Sequence, residues 1–399
     1  MTAWLDIVGV GEGGIADLPP STRAVIEGAE VVLGPERLLA GLPDGPRAVV
    51  WQSPLSAMLE QVQALRSTKT VILATGDPLW FGIGATLGRI LGPGEFTVHP
   101  HPSAFQLAAA RLRWPLQNVQ TLSLHGRAPE LIHPHLLPGN RVLALTDERT
   151  LRAVLPMLRG RGYGQSVVTA LEDLGSERER ITSGAAHSFD ATAVGEFYVL
   201  AIDCVADRDA PLLPPVAGLP DDAFVSDGQL TKREVRAATL SKLAPFPGAL
   251  LWDVGAGCGS VAIEWMRAAR DARAVAFERD PARLGFVREN ARRLGTPGLV
   301  VVAGEAPESF GGQPGPDAVF LGGEVADEHL FAAAWENLRD GGRLVSNAVT
   351  VDGEAALYRR QGELGGELAR IEVSTLDRIG SQRVLRPRMA VTQWWVEKP

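Results

Sequence analysis

The sequence has only two cysteines, Cys204 and Cys258, in 399 residues. Two thiols cannot build a disulfide framework, and nothing around them has zinc-ligand spacing, so a disulfide scaffold and a metal centre both drop out. No apolar run approaches the roughly 18 residues that a membrane-spanning helix needs. The first residues, Met-Thr-Ala-Trp-Leu-Asp-Ile-Val, lack the basic segment and long apolar stretch of a secretory signal. The expectation is a reduced, soluble, cytoplasmic protein with no membrane partner. Lysine is scarce: of 39 basic residues, all but Lys69, Lys232, Lys242 and Lys398 are arginine. Positive charge is in deficit overall, with a formal net charge of −8. A nucleic-acid binder needs a basic surface against phosphate, so the acidic balance argues against such a partner. The arginine excess reflects codon usage or supplies planar forks for carboxylates, and composition alone does not choose.

What is present describes a globular chain. Hydrophobic residues are 45% and charged residues 22%, which excludes a mostly disordered protein. The 44 glycines follow no Gly-X-Y period, which excludes collagen. The length suits two domains of about 150–200 residues each.

Short apolar runs alternate with helical patterns, which predicts an α/β architecture with largely parallel sheets. In the first half, strands are expected at 4–10, 31–34, 70–74, 96–100, 121–125, 141–146, 166–172 and 197–203. Residues 206–230 carry Pro211, Pro214, Pro215, Gly218 and Pro220 without periodicity and read as an inter-domain linker. This divides the chain into domains at 1–205 and 231–399. The second half repeats the alternation, with strands at 250–254, 274–278, 299–303, 318–321 and 343–346. Two final strands, near 368–375 and 389–396, have no helix between them and are expected to pair antiparallel at the sheet edge.

Two glycine loops stand out. In the second half, Asp253-Val254-Gly255-Ala256-Gly257-Cys258-Gly259-Ser260 is a buried strand, a turn and a helix start. Glycines let the backbone pass close to a nucleoside, and the helix start offers free N–H groups. A dinucleotide site wants Gly-x-Gly-x-x-Gly, but position 260 is serine. Asp253 before the loop suits a cationic ligand, and Glu278 ends the next strand, where a carboxylate accepts from both ribose hydroxyls. The set favours S-adenosylmethionine, with a nicotinamide cofactor or a structural turn as alternatives. Cys258 has no histidine near it in sequence and reads as packing. In the first half, Gly9-Val10-Gly11-Glu12-Gly13-Gly14 formally matches Gly-x-Gly-x-x-Gly, but no helix opens at Gly14 and the next strand ends in Gly34. Two further loops, Thr75-Gly76-Asp77-Pro78 and His101-Pro102-Ser103-Ala104, also follow strand ends, where α/β sheets bind ligands.

On these three loops, and on His125-Gly126-Arg127, the first half resembles the tetrapyrrole (precorrin) methylases. The second half is similar to the decarboxylating precorrin methyltransferases of the class I fold, through Thr231-Lys232-Arg233-Glu234-Val235-Arg236 and Gly304-Glu305-Ala306. In this order the halves resemble the fused, decarboxylating precorrin-6Y methyltransferases of cobalamin biosynthesis. The resemblance implies a tetrapyrrole methylase fold of two α/β subdomains, followed by a Rossmann-like class I domain. It implies methylation of a tetrapyrrole at carbons 5 and 15 with loss of a ring C acetate carboxylate, giving precorrin-8X. It implies one S-adenosylmethionine site per domain, and a homo-oligomer. Cofactor contacts are expected at Gly9, Gly11, Gly76, Asp77, Pro78, Ser103 and Ala104 in the first domain. In the second they are expected at Thr231, Asp253, Gly255, Ala256, Gly257, Cys258, Gly259, Glu278 and Ala306. The substrate is a polycarboxylate, so Arg233, Arg236, Arg386 and Arg388 are candidate substrate contacts. The competing readings are a nucleic-acid or small-molecule methyltransferase with an accessory N-terminal domain, and a non-catalytic tetrapyrrole carrier. The absence of an Asp/Asn-Pro-Pro-aromatic motif at Asp317–Glu324 weakens a nucleic-acid substrate.

Overall fold

Runs of valine, isoleucine and leucine too apolar to face water on either side form the central strands of each sheet. In the computed structural model, residues 3–92 and 94–399 are described. The chain divides into two compact units, one of Met1–Pro129 and Pro138–Ala210, the other of Glu130–Leu137 and Pro211–Pro399.

The first unit has two sheets. β1 (Leu5–Val10), β2 (Val31–Gly34), β3 (Arg47–Val50), β4 (Thr70–Thr75) and β5 (Phe96–His99) form a parallel sheet ordered β3-β2-β4-β1-β5. Its faces are buried separately, Leu5 and Ile7 among one apolar cluster and Val8 and Val10 among another. β6 (Val119–Ser123), β7 (Arg141–Leu145), β8 (Val167–Glu172), β9 (Arg180–Ala185) and β10 (Tyr198–Asp203) form the second sheet, ordered β6-β7-β10-β8-β9. Here only β6 and β7 run parallel, which corrects the expectation of largely parallel sheets. The connection from β8 to β9 is too short for a crossover helix, so the two strands form a hairpin. Arg180 closes it with a double hydrogen bond to Glu172, 2.7 Å at each oxygen.

The second unit is built on β11 (Leu250–Val254), β12 (Arg273–Glu278), β13 (Val300–Ala303), β14 (Ala318–Leu321), β15 (Arg343–Ala348), β16 (Glu367–Ile371) and β19 (Val391–Glu397). Their order is β13-β12-β11-β14-β15-β19-β16. Strand order reverses between β11 and β14, which opens a crevice at the strands' C-terminal ends. β16 and β19 pair antiparallel at the edge, as expected. The apolar stretch near 368–375 also starts a separate hairpin, β17 (Ser374–Ile379) with β18 (Gln382–Pro387).

The stretch 206–230 holds no helix or strand beyond one short 3-10 turn, yet it is not a loose spacer. Leu213, Leu219 and Phe224 are buried in the second unit's core beside Leu240, Leu251 and Trp265. Among the described residues no helix is long and apolar enough to cross a membrane.

Candidate functional site

In the second unit the chain leaves β11, turns through Gly255–Gly259 and enters the helix Ser260–Ala268. Gly255, Gly257 and Gly259 have φ of 70°, 60° and 79°, a region where a side chain is strained. The turn is fastened to β12, with the Gly255 and Ala256 N–H groups donating to the Phe277 carbonyl at 3.0 Å each. Glu278, the last residue of β12, is buried and accepts from the Gly257 N–H at 2.8 Å and from the Arg279 and Asp280 N–H groups at 2.9 Å. Three backbone donors thus fix this carboxylate beside the loop. Asp253 is only 1% exposed and accepts from the Ala262 N–H at 3.0 Å. Burial is the main cause that pushes its carboxyl up to about 7, with Glu278 adding repulsion.

A cavity of about 960 Å³ opens over this loop. Pockets for small ligands run to about 1,000 Å³, so there is room for a nucleoside and part of a second molecule. A Cβ added at Gly255 or Gly257 would meet protein no closer than 3.7 and 3.6 Å, so the space beside both is open. Glu305 and Glu324 in the lining are both paired with Arg279 at 2.9 Å, which leaves Asp253 and Glu278 as the carboxylates beside the glycine loop. This donor set fits a cationic nucleoside such as S-adenosylmethionine better than a pyrophosphate.

The structure brings Thr231, Asp253, Gly255, Ala256, Gly257, Glu278 and Ala306 to this one cavity. Cys258 and Gly259 lie behind the loop and do not line it. The Cys258 carbonyl accepts from Asn290 Nδ2 at 3.0 Å, and burial pushes its thiol up. Arg388 lines the cavity, 3.6 Å from Glu234. Arg386 is instead paired with Asp377 on the β17–β18 hairpin at 2.9 Å, and Arg233 is exposed outside the lining. Arg236 is a correction, because it is fully buried and cannot reach a substrate. Its guanidinium donates to Glu264 at 2.6 Å, to Asp221 at 3.1 Å and to the Leu219 carbonyl. Glu264 in turn accepts the Gly218 and Leu219 N–H groups at 2.6 and 2.9 Å, clamping the inter-domain stretch. Sequence reasoning missed Lys232 and Asn347, both of which line the cavity. Lys232 stands inside the Thr-Lys-x-x-Val-Arg motif already singled out, whereas Asn347 carries no local signal.

The first unit has its own cavity, of about 480 Å³, between its two sheets. Gly11, Gly76 and Ala104 line it, together with His125, Thr146 and Tyr198 from the second-sheet side. The other expected contacts do not line it and have structural work instead. A Cβ at Gly9 would lie 2.3 Å from the Gly76 carbonyl, so glycine there lets two loops close on each other. Asp77 accepts the Leu79 N–H at 2.8 Å, and Pro78 packs under Gly82 and Gly84. Ser103 is the N-cap of the helix Ala104–Leu112, in a capping box with Gln106. At Gly11 a Cβ would lie 2.6 Å from the His101 ring, so a larger residue there would displace the ring. His125 donates from Nδ1 to the Thr146 carbonyl at 2.9 Å, since a carbonyl can only accept.

Comparison with known proteins matches both units. Residues 5–190 match the tetrapyrrole (corrin/porphyrin) methylases, and residues 222–398 match the precorrin methyltransferase domain. A precorrin-6Y C(5,15)-methyltransferase [decarboxylating] from Sinorhizobium is 45% identical over 398 residues, covering 99% of this chain and 96% of that protein. A cobalt-precorrin-7 C(5)-methyltransferase from Salmonella typhimurium is 29% identical, covering 51% of this chain and 99% of its own length. A probable cobalt-precorrin-6B C(15)-methyltransferase (decarboxylating) from Sulfolobus acidocaldarius is 32% identical, covering 40% of this chain and 84% of its own.

Proposed function

The chain belongs to the decarboxylating precorrin-6Y C(5,15)-methyltransferases, and from that premise we propose that it divides the family's reaction between two separate S-adenosylmethionine sites. It is a methyltransferase of cobalamin biosynthesis that methylates precorrin-6Y at carbons 5 and 15 and removes a carboxylate. The observation that carries the two-site reading is that each unit encloses its own cavity over its own glycine loop. Two shorter relatives, one named for C5 and one for C15 with decarboxylation, support a reaction that can be divided. In this reading the first unit methylates C5, and the second methylates C15 and releases the ring C acetate carboxylate as carbon dioxide.

S-adenosylmethionine supplies an electrophilic methyl group on a sulfonium. In the second unit the Gly255–Gly257 backbone would carry it, with Glu278 for the ribose hydroxyls, Ala306 on the adenine side and Asp253 towards the positive charge. Thr231 closes the rim. In the first unit Gly11, Gly76 and Ala104 hold it through backbone groups. Methyl transfer to an electron-rich ring carbon needs alignment more than acid–base machinery. Holding two reactants in register contributes on the order of 7–11 kcal/mol. Arg388 offers a cation to a substrate carboxylate.

Self-association is part of the reading. Leu376 and Leu385, directly paired on the β17–β18 hairpin, are 65% and 70% exposed, an apolar pair suited to a second copy. Light scattering on the purified chain tests it.

Glu278→Ala tests the second site. Losing a charge-assisted contact to ribose weakens S-adenosylmethionine binding there by roughly 10–100-fold. Methylation at C5 by the first unit persists when the C15-methylated, decarboxylated intermediate is supplied. Loss of both methylations in a folded chain would sink the two-site model.

A further inference from the structure

At the end of the second unit's cavity away from Glu278, three polar side chains from three elements close a set of hydrogen bonds. Thr239, on the helix Arg233–Leu243, donates its hydroxyl proton to the Val235 carbonyl at 2.9 Å. Its oxygen is left only as an acceptor, and it takes Asn347 Nδ2 at 2.9 Å and Gln393 Nε2 at 3.0 Å. Gln393 Nε2 also donates to Asn347 Oδ1 at 2.9 Å, across the directly opposed positions of β15 and β19. The hydroxyl therefore dictates which way both amides face. Thr239 and Gln393 are buried, whereas Asn347 is half-buried and lines the cavity. One N–H of Asn347 Nδ2 remains for a ligand.

β15 lies three strand spacings from β12, about 14 Å, which is beyond the ribose of a nucleoside held at Glu278. Asn347 therefore lies out of reach of the donor's sugar. The lining cations Lys232 and Arg388 are already engaged, Lys232 with the Gly228 carbonyl at 3.0 Å and Arg388 with Glu234 at 3.6 Å.

Resting on the reading that the second unit expels a carboxylate, we propose that Asn347 is the donor that holds the departing carboxylate. Thr239 and Gln393 are its positioning residues. A cation there stabilises the charge that must disappear and so raises the barrier, whereas a neutral amide orients the group at less ground-state cost. Lys232 and Arg388 are left for carboxylates that the product keeps. In the step itself, the C–C bond between the acetate methylene and the carboxylate carbon breaks. Its electron pair passes into the conjugated macrocycle and carbon dioxide leaves. A proton from water then converts the methylene to a methyl group.

The test uses the full-length chain with precorrin-6Y and S-adenosylmethionine, reading carbon dioxide release, methyl groups transferred and S-adenosylmethionine affinity. Asn347→Ala misaligns the carboxylate against the macrocycle and lowers kcat for carbon dioxide release on the order of 10²-fold, with cofactor affinity within about twofold. Asn347→Asp, the same shape with like charge towards the carboxylate, raises KM as well. Gln393→Leu keeps the amide but loosens its aim, and lowers kcat by a smaller factor without changing cofactor affinity. Carbon dioxide release by Asn347→Ala within threefold of wild type overturns the proposal. So does a parallel loss of S-adenosylmethionine binding, since Asn347 then serves the donor or the fold. A wild-type chain that releases no carbon dioxide overturns the underlying reading of the second unit, and the proposal with it.

Discussion

Asp253 shows how much one buried carboxyl controls. Burial raises it from 3.8 to about 7, so the folded second unit holds this proton more tightly than the unfolded chain does. The stabilisation this brings is whole below pH 3.8, declines as pH rises and is gone once the folded group ionises near 7. Asp253→Asn, neutral throughout, should flatten the second unit's stability across that window, by a few kcal/mol at most. Urea unfolding at a series of pH values checks it. A cationic ligand favours the ionised form, so S-adenosylmethionine binding at pH 6 should release a proton, seen as buffer-dependent heat in calorimetry. Arg236 is the opposite kind of group, an arginine that composition makes look like a surface ligand. Arg236→Ala leaves Glu264 charged and unpaired in the core, and should cost about 3–5 kcal/mol in unfolding experiments. Nothing in the local sequence distinguishes it from Arg233, because its partner Glu264 is far along the chain. Asp253 was legible because it nearly ends an apolar strand before a glycine turn, and Glu278 because it ends the next apolar strand. Asn347 was not, because its orientation comes from Thr239 and Gln393, brought together only by the fold.

At the scale of elements, buried strands announced themselves and several exposed ones did not. β11 and β14 are buried along their whole length and read directly as apolar runs. β3 and β9 are edge strands with mostly exposed side chains, so no alternation marked them. The β17–β18 hairpin was hidden for the same reason, with most of its residues in solvent. The proline-rich stretch misled in another way. Lack of periodicity suggested a spacer, but its few apolar residues and its N–H groups are spent on the second unit's core. A fragment of residues 211–399 should therefore unfold at a higher temperature than one of residues 231–399. The shorter fragment lacks Leu213, Leu219 and Phe224, buried side chains whose loss costs roughly 2–5 kcal/mol each. Equal melting temperatures would mean that the stretch contributes nothing to the core.

Across the whole molecule, the composition foretold two units and an acidic chain, and the glycine loops lie at the two cavities proposed as methyl-donor sites. Class and reaction were carried by the combination of motifs, since any one glycine loop recurs in unrelated folds. The first unit's cavity uses second-sheet residues such as Thr146 and Tyr198 that no loop motif marks. The account stands on the independence of two methyl-donor sites. Equilibrium dialysis of the intact chain against labelled S-adenosylmethionine measures this directly. Two molecules bound per wild-type chain and one per Glu278→Ala chain is the predicted result. One molecule per wild-type chain, lost in Glu278→Ala, would contradict it.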